Sequence, residues 1–322
     1  MKEIQFTDID GIKVGHAQDL KAATGCTVII CEEGATGGVD VRGGSPGTRE
    51  TDLLDPQNLV DKIHAVMLSG GSAFGLDAAS GAMKYLEEKD IGFDVQVTKV
   101  PIVCSAVLFD LVVGDYKVRP DLEMGYKACV NATEKECPNG NIGAGTGATV
   151  GKFLGIERAM KGGLGSYAIQ IGDLKVGAIV AVNALGDIID PETGEVLAGL
   201  LDEDKKNLAG TENIMAKKYS EKKNIFSGNT TIGVVATNGI FTKAEANKLA
   251  SMSHNGYART MRPAHSIFDG DTIFAMATGK IEADINVVGF LAARAMERAV
   301  VNAIKSAESA YGFKAYRELN MD

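Results

Sequence analysis

A layered α/β fold, without the strict strand–helix alternation of a doubly wound sheet, is the class this sequence predicts. Three observations carry that expectation. Apolar runs of strand length recur along the chain, among them Cys26–Cys31, Ile63–Leu68, Val176–Val182 and Thr272–Thr278. Segments of helical period interrupt them irregularly, and some strands run straight into one another as hairpins. Glycine supplies 39 of the 322 residues and falls singly or in short clusters between the apolar runs. That placement suits sharp strand ends and close backbone approaches.

Composition narrows the class further. With 45% apolar residues the chain can bury a large core, and one domain over residues 1–322 accounts for its length. A net charge of −9, with no long Lys/Arg run, speaks against nucleic acid and membrane surfaces as general partners. No apolar run reaches the roughly 18 residues of a membrane helix, and Met1–Asp8 lacks the apolar core of a signal peptide. Five cysteines without a CxxC pair and four dispersed histidines form neither a disulfide framework nor a zinc-ligand spacing. The expectation is an acidic, cytoplasmic protein with no cofactor requirement.

From the N-terminus, Cys26–Cys31 reads as a strand, followed by a glycine-rich loop from Gly34 to Gly47. Arg42 lies in that loop, with Arg49 and Asp52 just after it. They form either a salt-bridged loop or a carboxylate-binding site. Asp55-Pro56 predicts a helix start. Ile63–Leu68 reads as a buried strand, and Ser69-Gly70-Gly71-Ser72 turns into a helix running through about Glu88. A nucleophile elbow centred on Ser72 needs a glycine where Phe74 stands, so that pattern fails. A phosphate cradle and a tight turn beside a substrate pocket are the two remaining readings, and the turn is preferred.

Ile102–Val113 is a further buried element, and Asp121–Thr133 has helical character. Asn139–Lys152 is a second glycine-rich loop. A Walker A loop would need glycine at Thr146 and Ser or Thr at Phe153. Gly143–Ala148 meets the looser G-x-G-x-x-A pattern, but it follows a Pro-Asn-Gly loop rather than a strand. A nucleotide-binding α/β enzyme stays open as an alternative on these loops.

Ala168–Ile171 and Val176–Val182 predict a hairpin turning at Gly172-Asp173, with Asn183 at its end. Residues 202–223 are dense in charge and predict a linker or an exposed helix. A strand follows from Thr230 to Thr237. A helix N-capped by Thr242 comes next, then a loop with His254, Arg259, Arg262 and His265. Asp269-Gly270-Asp271 leads into the strand Thr272–Thr278. The last helix, about Asp284 to Tyr311, places Val288, Ala292, Ala295, Ala299, Ile304 and Ala307 on one face.

The chemically pointed stretch is Phe226–Asn238, where a small-residue turn meets a hydroxyl at the start of an apolar strand. Threonine there is ordinarily a β-former and no more. The sharper reading places a scissile bond between Asn229 and Thr230, in an exposed and adaptable loop. The Thr230 hydroxyl would attack the Asn229 carbonyl to give an ester that water opens. The freed α-amine, titrating near ~8, is then a local base for that hydroxyl. Thr231 faces the opposite side of the strand. Asp269 and Asp271 flank a glycine, which on its own is turn chemistry.

Gly70–Asp77, Asn141–Ala148, Asn229-Thr230-Thr231 and Val234–Thr237, in this order over nearly the whole chain, resemble the P1 family of self-processing peptidases. That family contains L-aminopeptidase/D-esterases, β-peptidyl aminopeptidases and endo-type nylon-oligomer hydrolases. The resemblance implies a four-layer αββα sandwich, cut into a 1–229 α-chain and a 230–322 β-chain that stay together. It implies Thr230 as nucleophile, Asp269 and Asp271 orienting it, Asn183 donating to the oxyanion and Lys152 close by. Serine-type members carry a Ser and Glu pair where Asp269 and Asp271 stand, which separates this chain from strict β-aminopeptidases. Phe109 or Tyr126 would occupy the pocket position held by tyrosine in aminopeptidase members. A small peptide, amide or ester substrate and a homo-oligomer, a tetramer of α/β pairs, follow from the same likeness. An acyltransferase of the ornithine-acetyltransferase type and a relative that never matures are the alternatives within this architecture.

Overall fold

The computed structural model describes residues 1–218 and 229–319. Its frame is a ten-stranded mixed sheet. The strands are β1 (Lys2–Ile4), β2 (Lys13–Asp19), β3 (Thr24–Val41), β4 (Thr48–Arg49), β5 (Lys62–Ser69), β6 (Val103–Val107), β7 (Gly163–Ile171), β8 (Leu174–Val182), β9 (Ile232–Gly239) and β10 (Thr272–Ile281). They pair in the order β1-β7-β8-β9-β10-β3-β5-β6-β4, with β2 on β3. Four long helices cover the sheet: α1 (Ala78–Glu87), α2 (Leu122–Val130), α3 (Lys243–Thr260) and α4 (Ile285–Ser306).

The sheet folds back on itself through β3. Its first half, Cys26–Ile30, pairs with β5, while Thr36–Val41 pairs with β10; the β5 register shifts between Ile30 and Ala35. The two-residue strand period then sorts side chains into layers. Ile232, Val234 and Ala236 of β9 share a core with Ile29, Val66 and Leu68 from the other half of the sheet. Val235, between them, faces a core built with α3 and α4. On the far side, Val28, Ile30, Ala65 and Met67 pack under α1 and α2. Helix, sheet, sheet, helix is the resulting order, an αββα sandwich. Each fully buried Val, Leu or Ile in these cores contributes about 1.5–3 kcal/mol.

Helix α4 lies close on β7 because Gly165 has no side chain there: a Cβ would fall 2.0 Å from the Ala299 carbonyl oxygen. Val288, Ala292, Ala295, Ala299 and Ile304 form its buried face, as their spacing predicts. It ends at Ser306, earlier than sequence suggests. The Asn141 amide captures the Glu308 backbone, donating to its carbonyl at 2.8 Å and accepting from its N–H at 3.2 Å, and the chain turns away. Helix α3 opens on a capping box, with Thr242 accepting from Glu245 N–H and the Glu245 carboxylate accepting from Thr242 N–H.

The helix expected at Asp55-Pro56 does not form. A single 3-10 turn, Asp52–Leu54, precedes that point, and Asp55 accepts from the Gln57 N–H at 2.8 Å in a local turn. Strand β5 begins only a few residues later and leaves no room for a helix. Arg42 pairs with Asp40 at 3.1 Å, and Arg49 donates to Ser80 on α1 at 2.9 Å. The charged segment 202–223 includes a short helix, Thr211–Lys218. Residues 219–223 of that segment lie outside the described residues, as does Phe226-Ser227-Gly228. Among the described residues no helix is long and apolar enough to cross a membrane.

Candidate active site

Strand register assembles the site. Strands β9 and β10 are parallel and pair Ile232 with Thr272. The same offset, carried three residues back, forms the bridge between Asn229 and Asp269. Thr230 therefore lies beside Gly270, and Thr231 beside Asp271. On its other side β9 runs antiparallel to β8, with Ala181 opposite Ile232. Asn183, two residues beyond Ala181, thus falls opposite Thr230, and the Thr230 N–H donates to the Asn183 carbonyl at 3.1 Å. Sequence positions 40 or more apart become neighbours because three strand ends stop at one level.

Thr230 is 5% exposed and Asn229 1%, so the bond between them is buried rather than held in an exposed loop. The parallel bridge to Asp269 draws it inward. The Thr230 hydroxyl donates to the carbonyl of Asn229, and that same oxygen accepts the Gly270 N–H at 3.1 Å. Glycine is required at 270 because a Cβ there would stand 2.7 Å from the Thr230 Oγ1. Thr231 turns the other way, its hydroxyl toward the Met261 sulfur at 3.7 Å.

Lys152 is fully buried and donates from Nζ to both the carbonyl and the side-chain oxygen of Asn183, at 3.0 and 2.7 Å. It thus shares the Asn183 carbonyl with the Thr230 N–H. Burial pushes its ammonium down to about 7, against the opposing pull of the Asp269 and Asp110 carboxylates. Donors from Lys152 and from Thr149 N–H, at 3.0 Å, fix which end of the Asn183 amide is oxygen. Its nitrogen donates to the Phe109 carbonyl at 3.2 Å.

The two aspartates are held differently. Asp269 accepts from the Ser266 N–H at 2.9 Å and from the Ser266 hydroxyl. Burial, and then the neighbouring Asp271 charge, raise its carboxyl to about 6. Asp271 accepts the Thr231 N–H on one oxygen at 2.8 Å. Its other oxygen takes the N–H and Nδ1 of His265, at 3.1 and 2.9 Å. A carboxyl raised on folding stabilises the folded chain at low pH and loses that contribution as pH climbs through its folded value. Asp269 should therefore make stability fall between about pH 4 and 6. Thermal melts across that window should show a shallower fall for Asp269→Asn than for the unaltered chain.

A cavity of about 180 Å³ opens at Thr230, walled by Ser45, Gly47, Ser72, Val107, Phe109 and Phe268. Phe109, not Tyr126, stands in it. Tyr126 lies on α2 and donates to Glu88 at 2.7 Å. A larger cleft of about 680 Å³ along β1 and β7 contains none of these residues. Its one thiol, Cys137, is pushed up to about 11 by burial and stays protonated.

The second glycine loop is turned inward. The buried Lys161 Nζ donates to the carbonyls of Gly145, Ala148 and Gly162 at 2.9–3.0 Å. The N–H groups of Gly143, Ala144, Gly145, Thr146 and Ala148 are bonded within the protein. A phosphate cradle needs such N–H groups pointing at a ligand. The dinucleotide reading of this loop is thereby corrected.

The model of peptidase family S58 matches residues 5–317. The chain belongs to peptidase family S58. It is 42% identical over 344 residues to an uncharacterized aminopeptidase of Mycobacterium leprae, covering 97% of this chain and 92% of that protein. A 6-aminohexanoate-oligomer endohydrolase of a Kocuria species is 30% identical, over 92% of this chain and 85% of its own. Among solved structures, the L-aminopeptidase D-Ala-esterase/amidase of Ochrobactrum anthropi superposes with a TM-score of 0.73 at 17% identity. That match covers 98% of this chain and 92% of the other. A Burkholderia β-aminopeptidase gives 0.70 at 18%, over 97% and 91%. These two show the fold, which in the Ochrobactrum enzyme is a variant of the Ntn-hydrolase fold. Membership of S58 makes the chain an aminopeptidase-type hydrolase of peptide and amide bonds.

Thr230, Asp269, Asp271, Asn183 and Lys152 thus come together in this S58 chain. Sequence reasoning missed Gly270, whose N–H meets the Asn229 carbonyl, and Ser266 and His265, which hold the aspartates. The Asp-Gly-Asp spacing was a usable signal for Gly270. With Asp269 beside Asn229 and Asp271 beside Thr231, the middle residue stands beside Thr230.

Proposed function

We propose that the chain cuts itself between Asn229 and Thr230 and then acts as an N-terminal-threonine amide hydrolase. The observation that carries this reading is the convergence on one carbonyl. The Thr230 hydroxyl and the Gly270 N–H both bond to the Asn229 oxygen, at residues that are themselves buried. A donor on an oxygen where negative charge develops is the basis of oxyanion stabilisation.

In the cut, Lys152 in its neutral form takes the hydroxyl proton, and Thr230 Oγ1 bonds to the Asn229 carbonyl carbon. The C–N bond breaks, the amine leaves with that proton, and an ester joins the two parts. Water opens the ester, freeing the Asn229 carboxylate and returning the Thr230 hydroxyl beside its already free α-amine. The parts 1–229 and 230–322 stay together, because β9 remains hydrogen-bonded between β8 and β10.

Afterwards the α-amine, still beside the Asn183 carbonyl and Lys152, takes the hydroxyl proton for each turnover. A substrate acyl group enters the cavity beside Phe109, and its carbonyl carbon accepts Oγ1. The leaving amine departs with the proton, and water releases the acid. Asn183 has one N–H on Phe109 and a second one for the substrate oxyanion. Asp269 and Asp271 hold the strand end that carries Thr230. Small peptides, amides and esters are the substrate class, and tetramers of α/β pairs the expected assembly.

Intact-mass measurement of the purified chain after incubation tests the reading. Two fragments are expected, one ending at Asn229 and one beginning at Thr230. A chain that stays whole under conditions where it hydrolyses an amide sinks it.

A further inference from the structure

We propose that His265 is a positioning residue for the nucleophile, acting through Asp271; the assignment rests on the self-processing reading above. Asp271 is 1% exposed, and a buried carboxylate stays in one orientation only when its oxygens are filled. One oxygen takes the Thr231 N–H at 2.8 Å and so ties the residue directly after the nucleophile. Among the described residues, the other is filled from a single source. His265 brings its backbone N–H to 3.1 Å and its Nδ1 to 2.9 Å of the same oxygen. Turning Asp271 would release the Thr231 backbone, and with it the position of Thr230 before and after the cut.

The backbone of His265 shows how this double contact arises. Its φ is +57°, in the left-handed region that side-chain-bearing residues rarely adopt. In that conformation the ring folds back over its own N–H and both donors meet one acceptor. Strain of this kind persists where surrounding contacts demand it, and it collects at functional sites. The ring is itself braced: His254 on α3 meets it edge-on, with centroids 4.8 Å apart, and Tyr257 lies at 6.2 Å. His254 is anchored through Nε2 on the Asp40 carbonyl at 2.9 Å. The next residue, Ser266, holds Asp269 in the same manner. The dipeptide His265-Ser266 therefore sets both acids that flank Gly270.

The test compares His265→Gly with His265→Asn in the full chain. Glycine accepts φ +57° without strain and removes the ring donor together with the ring's packing on His254 and Tyr257. Asparagine also tolerates that conformation and places an N–H at the position of Nδ1 relative to Cγ. His265→Gly should cut itself and turn over an amide substrate about 10–100-fold more slowly, with KM changed less than about threefold, as expected for misplacement of reacting groups. His265→Asn should recover to within about fivefold of the unaltered chain. A His265→Gly chain that cuts as fast as the unaltered one overturns the assignment. So does a folded His265→Asn chain as slow as His265→Gly, or, should the glycine variant not fold, one more than about tenfold slower than the unaltered chain. An unaltered chain that never cuts is a different result, which removes the self-processing reading and this assignment with it.

Discussion

Thr230→Ala should stay a single 322-residue chain through any incubation and should hydrolyse no amide above background. The expected loss in turnover is on the order of 10⁶-fold, as for other enzymes that lose the nucleophile of a concerted set. The reason is local. Thr230 Oγ1 is the hydroxyl bonded to the Asn229 carbonyl, and Thr231 directs its own hydroxyl toward Met261. Thr230→Ser keeps Oγ1 and should still cut, more slowly because the methyl packed against Gly270 no longer fixes the rotamer. Intact mass and an amide-release assay on the same samples read both outcomes. Fragments of 1–229 and 230–322 from Thr230→Ala would falsify the nucleophile assignment.

Lys152→Met should slow the cut about 10²–10⁴-fold, the usual contribution of a positioned general base. It should also remove a pH limb. Lys152 sits at about 7 because burial disfavours its charge, so the neutral amine becomes abundant as pH rises through that value. The rate of fragment appearance should therefore climb through about pH 7 in the unaltered chain and then flatten. In Lys152→Met that rise should be absent. The substitution is mild on structure: Met approximates the length of lysine, and the Asn183 side-chain oxygen keeps its bond from Thr149 N–H at 3.0 Å. A Lys152→Met chain with the same rise through pH 7 would remove Lys152 from the proton-transfer step.

Parts of this site were legible in the chain as written. Asp269-Gly270-Asp271 stood before an apolar strand, Asn183 closed a predicted hairpin, and Thr230 opened another strand. Those are local patterns of turn chemistry and two-residue period. The Asn229–Thr230 bond, expected in an exposed loop, is buried, because its burial comes from Asp269, 40 positions away. The helix expected at Asp55-Pro56 failed for a similar reason: local capping signals carry no information on how soon a strand must begin. The second glycine loop looked like a ligand cradle, and a buried Lys161 reversed its polarity.

By itself, then, the sequence determined the kinds of element and the kinds of chemistry. Periodicity and capping set where strands and helices form, since those preferences act over a few residues. The hydroxyl, the acids, the amide and the amine were all visible as residue types. Only tertiary structure decided that β8, β9 and β10 end at one level, so that Asn183, Thr230 and Gly270 stand side by side. Such register is set by non-local packing of both sheet faces. Tertiary structure also decided that Lys152 titrates near 7, because a lysine's charge is lowered only by the burial that folding provides.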